Sequence, residues 1–103
     1  SMDSPSLQDV FENLPDSVLV TDSNGNIVMA NPALAQLMGI PLPELIGRTV
    51  GELVQEGFYQ RSIVMEAAKK KNIVTGVIKT ATGRAVMSTS VPVMTIAKTA
   101  IDE

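Results

Sequence analysis

The side chains able to do chemistry in this sequence are carboxylates, lysines, hydroxyls and one tyrosine, because its 103 residues include neither cysteine nor histidine. This composition excludes disulfides and thiolate sites, and it removes the usual zinc ligand, haem ligand and general base. The acidic residues are scattered through turns and helix starts. Asp16 and Asp22 lie near each other in the sequence, but Asp22 is better interpreted as a turn former whose carboxylate binds the backbone. We therefore predict no catalytic residue, no metal site and no enzymatic activity.

The basic residues do not indicate a nucleic-acid site. Lys69, Lys70 and Lys71 fall in the last turn of a predicted helix, where cations are favoured by the exposed carbonyl groups. No region combines a basic stripe with stacking aromatic side chains, and the net charge is −3. No apolar run approaches the roughly 20 residues that span a bilayer, and no signal peptide is present. We expect a cytoplasmic domain without direct nucleic-acid or membrane binding.

A β-hairpin is predicted where two apolar runs, 17–22 and 27–30, flank Asn24-Gly25. Asn and Gly tolerate the positive φ angles that such a turn requires. The second strand runs directly into Asn31-Pro32, an N-cap residue followed by proline at the first helical position, so Asn31 is predicted to cap a helix.

The remaining elements are predicted from periodicity and from proline and glycine positions. They are a helix over 7–13, short helical pieces after Asn31, Pro41 and Gly51, a longer helix over 58–71, and strands over 73–80 and 84–93. Strands at both ends with helices between them indicate an α+β domain, an antiparallel sheet covered on one face by helices. We assign residues 1–6 to a tag remnant and a disordered start, and residues 7–103 to a single domain.

The run from Leu14 to Ala33 resembles the opening of a PAS domain, in which two strands flank an Asp/Asn-Gly turn and lead into an Asn at the head of a helix. Gly39 and Gly47 stand where that family ends its short helices, and Thr82-Gly83 and Val91-Pro92 are similar to its later strand turn and strand end. The resemblance implies a five-stranded antiparallel sheet and a sensory, regulatory role. Because the chain ends at Glu103, we expect the fifth strand to be missing, and an uncovered strand edge predicts a dimer or swapped assembly.

Residues 69–84 look most similar to PAS domains that precede the AAA+ module of sigma-54-dependent transcriptional regulators. This implies signal input to a covalently attached effector through ligand binding or dimer rearrangement. Two alternatives stay open: a ligand-free dimerisation module, and the input domain of a sensor histidine kinase.

The resemblance also bears on cofactors. Covalent flavin chemistry in this family uses a cysteine and haem binding usually a histidine, so both are disfavoured and no cofactor is predicted. An axial methionine, Met38 or Met65, is conceivable, but core packing is the better interpretation.

Strand alternation and the resemblance together predict which side chains face the helices and which face away. The predicted ligand pocket comprises Leu19, Thr21, Val28, Ala30, Leu34, Met38, Ile63, Val77 and Ser88. The alternate face of the first hairpin is predicted to be covered by the N-terminal helix or by a second protomer, as a dimer face formed by Val18, Val20, Ile27 and Met29. A filled core without any cavity is the competing interpretation.

Overall fold

The computed structural model describes residues 4–59, 62–81 and 83–93. In chain order the elements are α1 (Leu7–Asn13), β1 (Leu19–Thr21), β2 (Ile27–Ala30), α2 (Pro32–Met38), α3 (Leu42–Leu45), α4 (Val50–Gln55), α5 (Ile63–Lys70), β3 (Val74–Lys79) and β4 (Ala85–Ser90). Strands lie at both ends of the described chain with short helices between them. The predicted α+β class with antiparallel strands is confirmed.

The first hairpin pairs β1 with β2 antiparallel, around a turn organised by Asp22. The Asp22 carboxylate accepts hydrogen bonds from the backbone N–H groups of Asn24 and Asn26, both at 2.9 Å, and from the Asn26 side-chain amide. Gly25 has a φ of +83°, a conformation that a side chain disfavours. The turn therefore combines an acidic side chain that closes the backbone with a glycine that permits its shape.

Short helices α2, α3 and α4 pack against the inner side of β2. Each of these helices begins at a residue type that favours a helix start. Asn31 caps α2 and Thr49 caps α4 through side-chain oxygens, and Pro41 precedes α3. The core that results is aliphatic, with methionine filling space that aromatic residues often occupy. Its buried members are Ile27, Ala30, Leu34, Met38, Ile40, Leu45, Val50 and Leu53.

The second hairpin pairs β3 with β4 antiparallel and is covered by α5. Ile63 and Ala67, one turn apart on α5, are buried together with Ile78 of β3. The helix is shorter than the predicted 58–71. Ser62 caps it by accepting a hydrogen bond from the Met65 backbone N–H, while Tyr59 forms an antiparallel bridge with Thr80 instead of joining the helix.

Within the described residues, the two hairpins are separate two-stranded sheets. One edge of β1 and one edge of β4 therefore lack a neighbouring strand there. The predictions for Ser1-Met2 and for residues 94–103, including the missing fifth strand, lie outside the described residues. Among the helices that the structure describes, none has the length and apolarity needed to cross a bilayer.

Candidate functional site

A cavity of about 1280 Å³ opens between the two hairpins, and we call it the inter-hairpin cavity. Its walls come from six elements, β1, α2, α4, α5, β3 and β4, and from segments beside them. The free edges of β1 and β4 border it. Ligand sites in proteins commonly enclose about 300–1,000 Å³. The volume spans the gap between the β1 and β4 edges of the described residues as well as the space between strands and helices, so a ligand pocket is only part of it.

Apolar and polar side chains line the cavity in nearly equal number. Leu19, Leu34, Ile63 and Ile78 line it from four different elements. Hydroxyl groups of Thr21, Ser62, Ser88 and Tyr59 are distributed along the same walls. In small-molecule sites the apolar walls give affinity and the polar groups give orientation. This cavity offers both kinds of group, with a larger polar share than is usual for such sites.

Tyr59 is the most unusual polar group of this site. Burial raises the pKa of its phenol to about 12, above the ordinary value of about 10. Its hydroxyl makes no hydrogen bond with a described residue. Every fully buried side-chain oxygen in the described part of the chain has a partner, so the Tyr59 hydroxyl is not fully buried. The hydroxyl is therefore desolvated but still accessible, as expected for a group that faces a cavity.

Of the nine residues predicted to form a ligand pocket, five line the inter-hairpin cavity. These five are Leu19, Thr21, Leu34, Ile63 and Ser88. Met38 is buried in the core without reaching the cavity. Ala30 is likewise buried in the core, as its predicted inward position requires, although it does not line the cavity. Val28 is exposed and borders a shallow depression that Ala30 also touches, and Val77 borders neither space.

A β-bulge explains why Val28 and Ile27 exchange their predicted places. Leu19 pairs with Ala30 and Val20 with Met29, but Thr21 pairs with Ile27, so Val28 is an extra residue in β2. An inserted residue reverses the alternation of faces beyond it. Ile27 is consequently buried at 1% exposure and Val28 is exposed at 50%. The predicted inward position of Val28 and the outward position of Ile27 are both wrong.

The pairing register of the second hairpin determines on which face Val77 lies. Val77 pairs with Met87, whereas Ser88 pairs with Gly76. Residues directly opposite each other share a face and successive residues alternate, so Val77 and Ser88 lie on opposite faces. Ile78 takes the buried position, and Val77 is 59% exposed. The inward orientation predicted for Val77 is therefore corrected.

The outer surface of the first hairpin is apolar and exposed. It contains Val20, Val28 and Met29, with Ile46 from the segment after α3 beside them. Val18, at the start of β1, is half-buried. Helix α1 covers this surface only in part: Phe11 borders the depression over Met29, but no residue of α1 is buried and Leu7 is 86% exposed.

Asn31 fixes the junction between β2 and α2 at the floor of the site. Its side-chain oxygen accepts hydrogen bonds from the backbone N–H groups of Val18, at 2.9 Å, and Leu34, at 3.1 Å. Its amide donates to the Asp16 carbonyl at 2.8 Å. The side chain is fully buried, and one residue thereby positions both Leu19 and Leu34 on the cavity wall.

Sequence reasoning missed Tyr59, because the pattern assigned it to the start of a helix. Two signals indicate the observed arrangement. Gly57 supplies a positive φ of 85° that ends the helical path of α4 before Phe58 and Tyr59, and Ser62 is a favourable N-cap residue that moves the start of α5 to Ile63.

Neither methionine considered as a metal ligand reaches the cavity. Met38 belongs to the core, and Met65 packs against Gly25. In the part of the chain that the structure describes, no group of three or more acidic residues is arranged to hold a metal ion. The described geometry favours the packing interpretation of both residues.

Comparisons with known proteins agree with this architecture. Residues 6–98 match a family model described as the PAS fold. No curated protein matches the sequence significantly. Two solved structures are similar in fold. The PAS domain of an HTR-like protein from Haloarcula marismortui has a TM-score of 0.56 and 22% identity, and the match covers 81% of this chain and 71% of that one. The PAS domain of nitrogen regulation protein NR(II) from Vibrio parahaemolyticus has a TM-score of 0.58 and 19% identity, and the match covers 82% and 81% of the two chains. The chain belongs to the PAS fold family.

Proposed function

We propose that this domain is the signal-input module of a bacterial transcriptional regulator, and that a small molecule bound in the inter-hairpin cavity controls an attached effector. The observation that carries the proposal is the cavity itself, which is bordered by both hairpins and by α2 and α5. A ligand there contacts the two sheets at once. Binding can therefore shift one hairpin relative to the other, and a linked domain or a dimer interface can sense that shift.

The chemistry available limits how such a ligand is held. Since the sequence has no cysteine or histidine, the ligand forms neither a thioether bond nor an imidazole–metal bond with this chain. Apolar contact and hydrogen bonds to the wall hydroxyls remain. An AAA+ module that activates sigma-54-dependent transcription is the effector we propose, on the resemblance of residues 69–84. The input domain of a sensor histidine kinase is the alternative that the sequence resemblance leaves open.

A matched pair of substitutions tests the ligand site. Val86 lines the cavity, whereas Val77, on the same hairpin, is exposed and does not. Binding to the folded state raises the melting temperature as RT ln(1 + [L]/Kd). Compounds from a small-molecule library should stabilise the wild type and V77W but not V86W. A library that stabilises none of the three proteins, or V86W as much as V77W, would refute the cavity as the site.

The exposed outer surfaces favour a second candidate function, a dimerisation module. Met29 is exposed on the first hairpin. Met87, which is 72% exposed, lies on the face of the second hairpin opposite the buried Ile78 and also borders the cavity at the edge of β4. Large apolar patches on a monomer usually mark an interface, and the strand edges of β1 and β4 offer further backbone groups for pairing with a second copy. We propose a homodimer, which includes a strand-swapped form.

Sedimentation equilibrium tests the homodimer. The wild type should be a dimer and the Met29→Lys variant a monomer, because a dimer of the variant would bury the lysine charge in its interface. Gln55→Lys is the control, since Gln55 is exposed on α4, away from both hairpin surfaces. A wild type that stays monomeric at high concentration contradicts the proposal.

A further inference from the structure

The Tyr59 hydroxyl is a hydrogen-bond donor that the described fold leaves unused. Thr21 and Ser62, on the same cavity walls, have hydrogen bonds within the chain: Thr21 donates to the Asp22 carbonyl and Ser62 caps α5. Tyr59 has no such partner among the described residues. Desolvation raises its pKa to about 12, so the phenol stays protonated at any physiological pH. A protonated, desolvated phenol is suited to donate to an acceptor on a ligand.

Two cations along the cavity can each serve as the partner of an anionic acceptor. Four charged residues line it: Asp16, Asp22, Lys71 and Arg84. The Asp22 carboxylate already accepts three hydrogen bonds from its own turn. Lys71 and Arg84 form no ion pair with a described residue. The four charges sum to zero, because hydrogen bonds from neutral amides leave Asp22 charged. The two cations nevertheless have no ion-pair partner among the described residues, so each can pair with an anionic group.

Arg84 and Tyr59 belong to the same end of the cavity. Tyr59 forms a strand bridge with Thr80, and the Thr80 N–H donates to the Arg84 carbonyl at 2.9 Å. A second backbone hydrogen bond joins the segment of Tyr59 to that of Thr80: the Ala81 N–H donates to the Phe58 carbonyl at 3.1 Å. The backbone therefore places Tyr59 and Arg84 on neighbouring strand positions, both opposite Thr80, and both residues line the cavity.

We propose that the inter-hairpin cavity binds a small monocarboxylate with an apolar body, whose carboxylate accepts a hydrogen bond from Tyr59 and pairs with Arg84. The inference rests on the proposed ligand-binding function and adds the class of ligand to it. The apolar body contacts Leu19, Leu34 and Ile63, which line the remaining wall. The arginine contributes charge and a planar donor pair that matches a carboxylate.

Three probes with the same eight-carbon body test the class of ligand: octanoate, octan-1-ol and octylamine, each titrated by calorimetry at constant ionic strength. Octanoate should bind the wild type most tightly and octylamine most weakly. Tyr59→Phe should weaken octanoate binding by about ten-fold, the size of one hydrogen bond to a charged group. Arg84→Gln should weaken octanoate binding by about three- to ten-fold and leave octan-1-ol binding unchanged.

Lys79→Gln is the matched control for the arginine, because Lys79 is an exposed cation on the same hairpin that does not line the cavity. Octanoate affinity should stay constant from about pH 6 to 9, since the phenol titrates well above this window. Equal octanoate binding by the wild type and Tyr59→Phe, with both folded by circular dichroism, would overturn the role of Tyr59. Equal weakening by Lys79→Gln and Arg84→Gln would overturn the role of Arg84.

The test separates this inference from the function on which it rests. If library compounds stabilise the wild type but not V86W, and octanoate does not bind, the carboxylate class is wrong and the ligand site stands. If neither octanoate nor any library compound binds, both proposals fail.

Discussion

Replacing Gly25 by alanine tests how the first hairpin is attached to the helices. Gly25 is buried at the tip of the Asp22 turn, and its carbonyl accepts a hydrogen bond from the Val50 N–H at 2.9 Å. A Cβ atom added to Gly25 would lie 2.7 Å from the sulfur of Met65 and 3.1 Å from a methyl carbon of Val50. The turn therefore contacts both α4 and α5 at a point where only hydrogen fits.

Two independent costs make up the expected destabilisation. A side chain at a φ of +83° costs about 1–2 kcal/mol. The steric overlap adds about 1–3 kcal/mol, towards the lower end, because Met65 is flexible and part-exposed while Val50 is 1% exposed and held in the core. The sum for Gly25→Ala is about 2–4 kcal/mol.

Gly39→Ala is the control that isolates the first cost. Gly39 has a φ of +70°, but no atom lies within 4 Å of its added Cβ, so only the backbone term of about 1–2 kcal/mol applies. Urea unfolding of Gly25→Ala, Gly39→Ala, Met65→Ala and the Gly25→Ala/Met65→Ala double variant gives all the terms. The double variant should recover about 0.5–1.5 kcal/mol relative to additivity. Equal destabilisation by the two glycine variants, without coupling to Met65, would refute the contact.

Three further outcomes are expected. Asn31→Ala should lower the free energy of unfolding by about 2–4 kcal/mol. It removes the side-chain partners of the Val18 N–H and the Asp16 carbonyl and one of the two acceptors of the Leu34 N–H. Asn13→Ala, at an exposed site, should change the free energy of unfolding by less than about 1 kcal/mol, and similar losses for the two variants in urea titrations would count against the buried cap. Tyr59 is the only tyrosine and the chain has no tryptophan, so tyrosinate absorbance reports the pKa of Tyr59 directly. The titration midpoint is expected near pH 12. A midpoint near pH 10 would mean that the phenol is solvated. Since that pKa is raised, its stabilising contribution is complete below about pH 10 and is lost as the pH rises through the folded value, and Tyr59→Phe should remove this alkaline loss. Hydrogen bonds from Asn26 lower the pKa of Asp22. Asp22 therefore stabilises the fold above the pKa it has in the unfolded chain, and this stabilisation is lost as the pH falls through its pKa in the folded protein. Asp22→Asn should flatten the acid side of a plot of urea midpoint against pH, and an unchanged plot would contradict the turn geometry.

The local elements could be predicted from the sequence because each has a chemical signal of its own. Asn24-Gly25 predicts a hairpin, and Asn31-Pro32 predicts the start of α2. The helix predicted over 7–13 coincides with α1, whose Ser6 and Asp9 form a reciprocal capping box. Such signals act over a few residues, so they do not depend on how the chain folds elsewhere.

The faces of the strands were predicted less well, because alternation is valid only while the register holds. One bulged residue, Val28, reverses the faces of β2, and no residue type in the run Ile27–Ala30 marks it. In β3 and β4 the alternation is regular, but its phase is set by which residue packs under α5. Ile78 meets Ile63 there, and Val77 is consequently directed outward. Tertiary packing therefore determines which face of a strand is buried, even where the strand itself can be predicted from the local sequence.

The cavity depends on a still longer-range relation, the spacing of two hairpins that are separated by four helices. Tyr59 shows why its chemistry could not be assigned in advance. In the sequence it is an apolar position at a helix start, and only the bridge to Thr80 places it beside Arg84 and the cavity wall. Its hydroxyl is desolvated by burial and has no hydrogen-bond partner among the described residues. The specificity that we propose for the site thus depends on a donor whose surroundings are set by tertiary contacts.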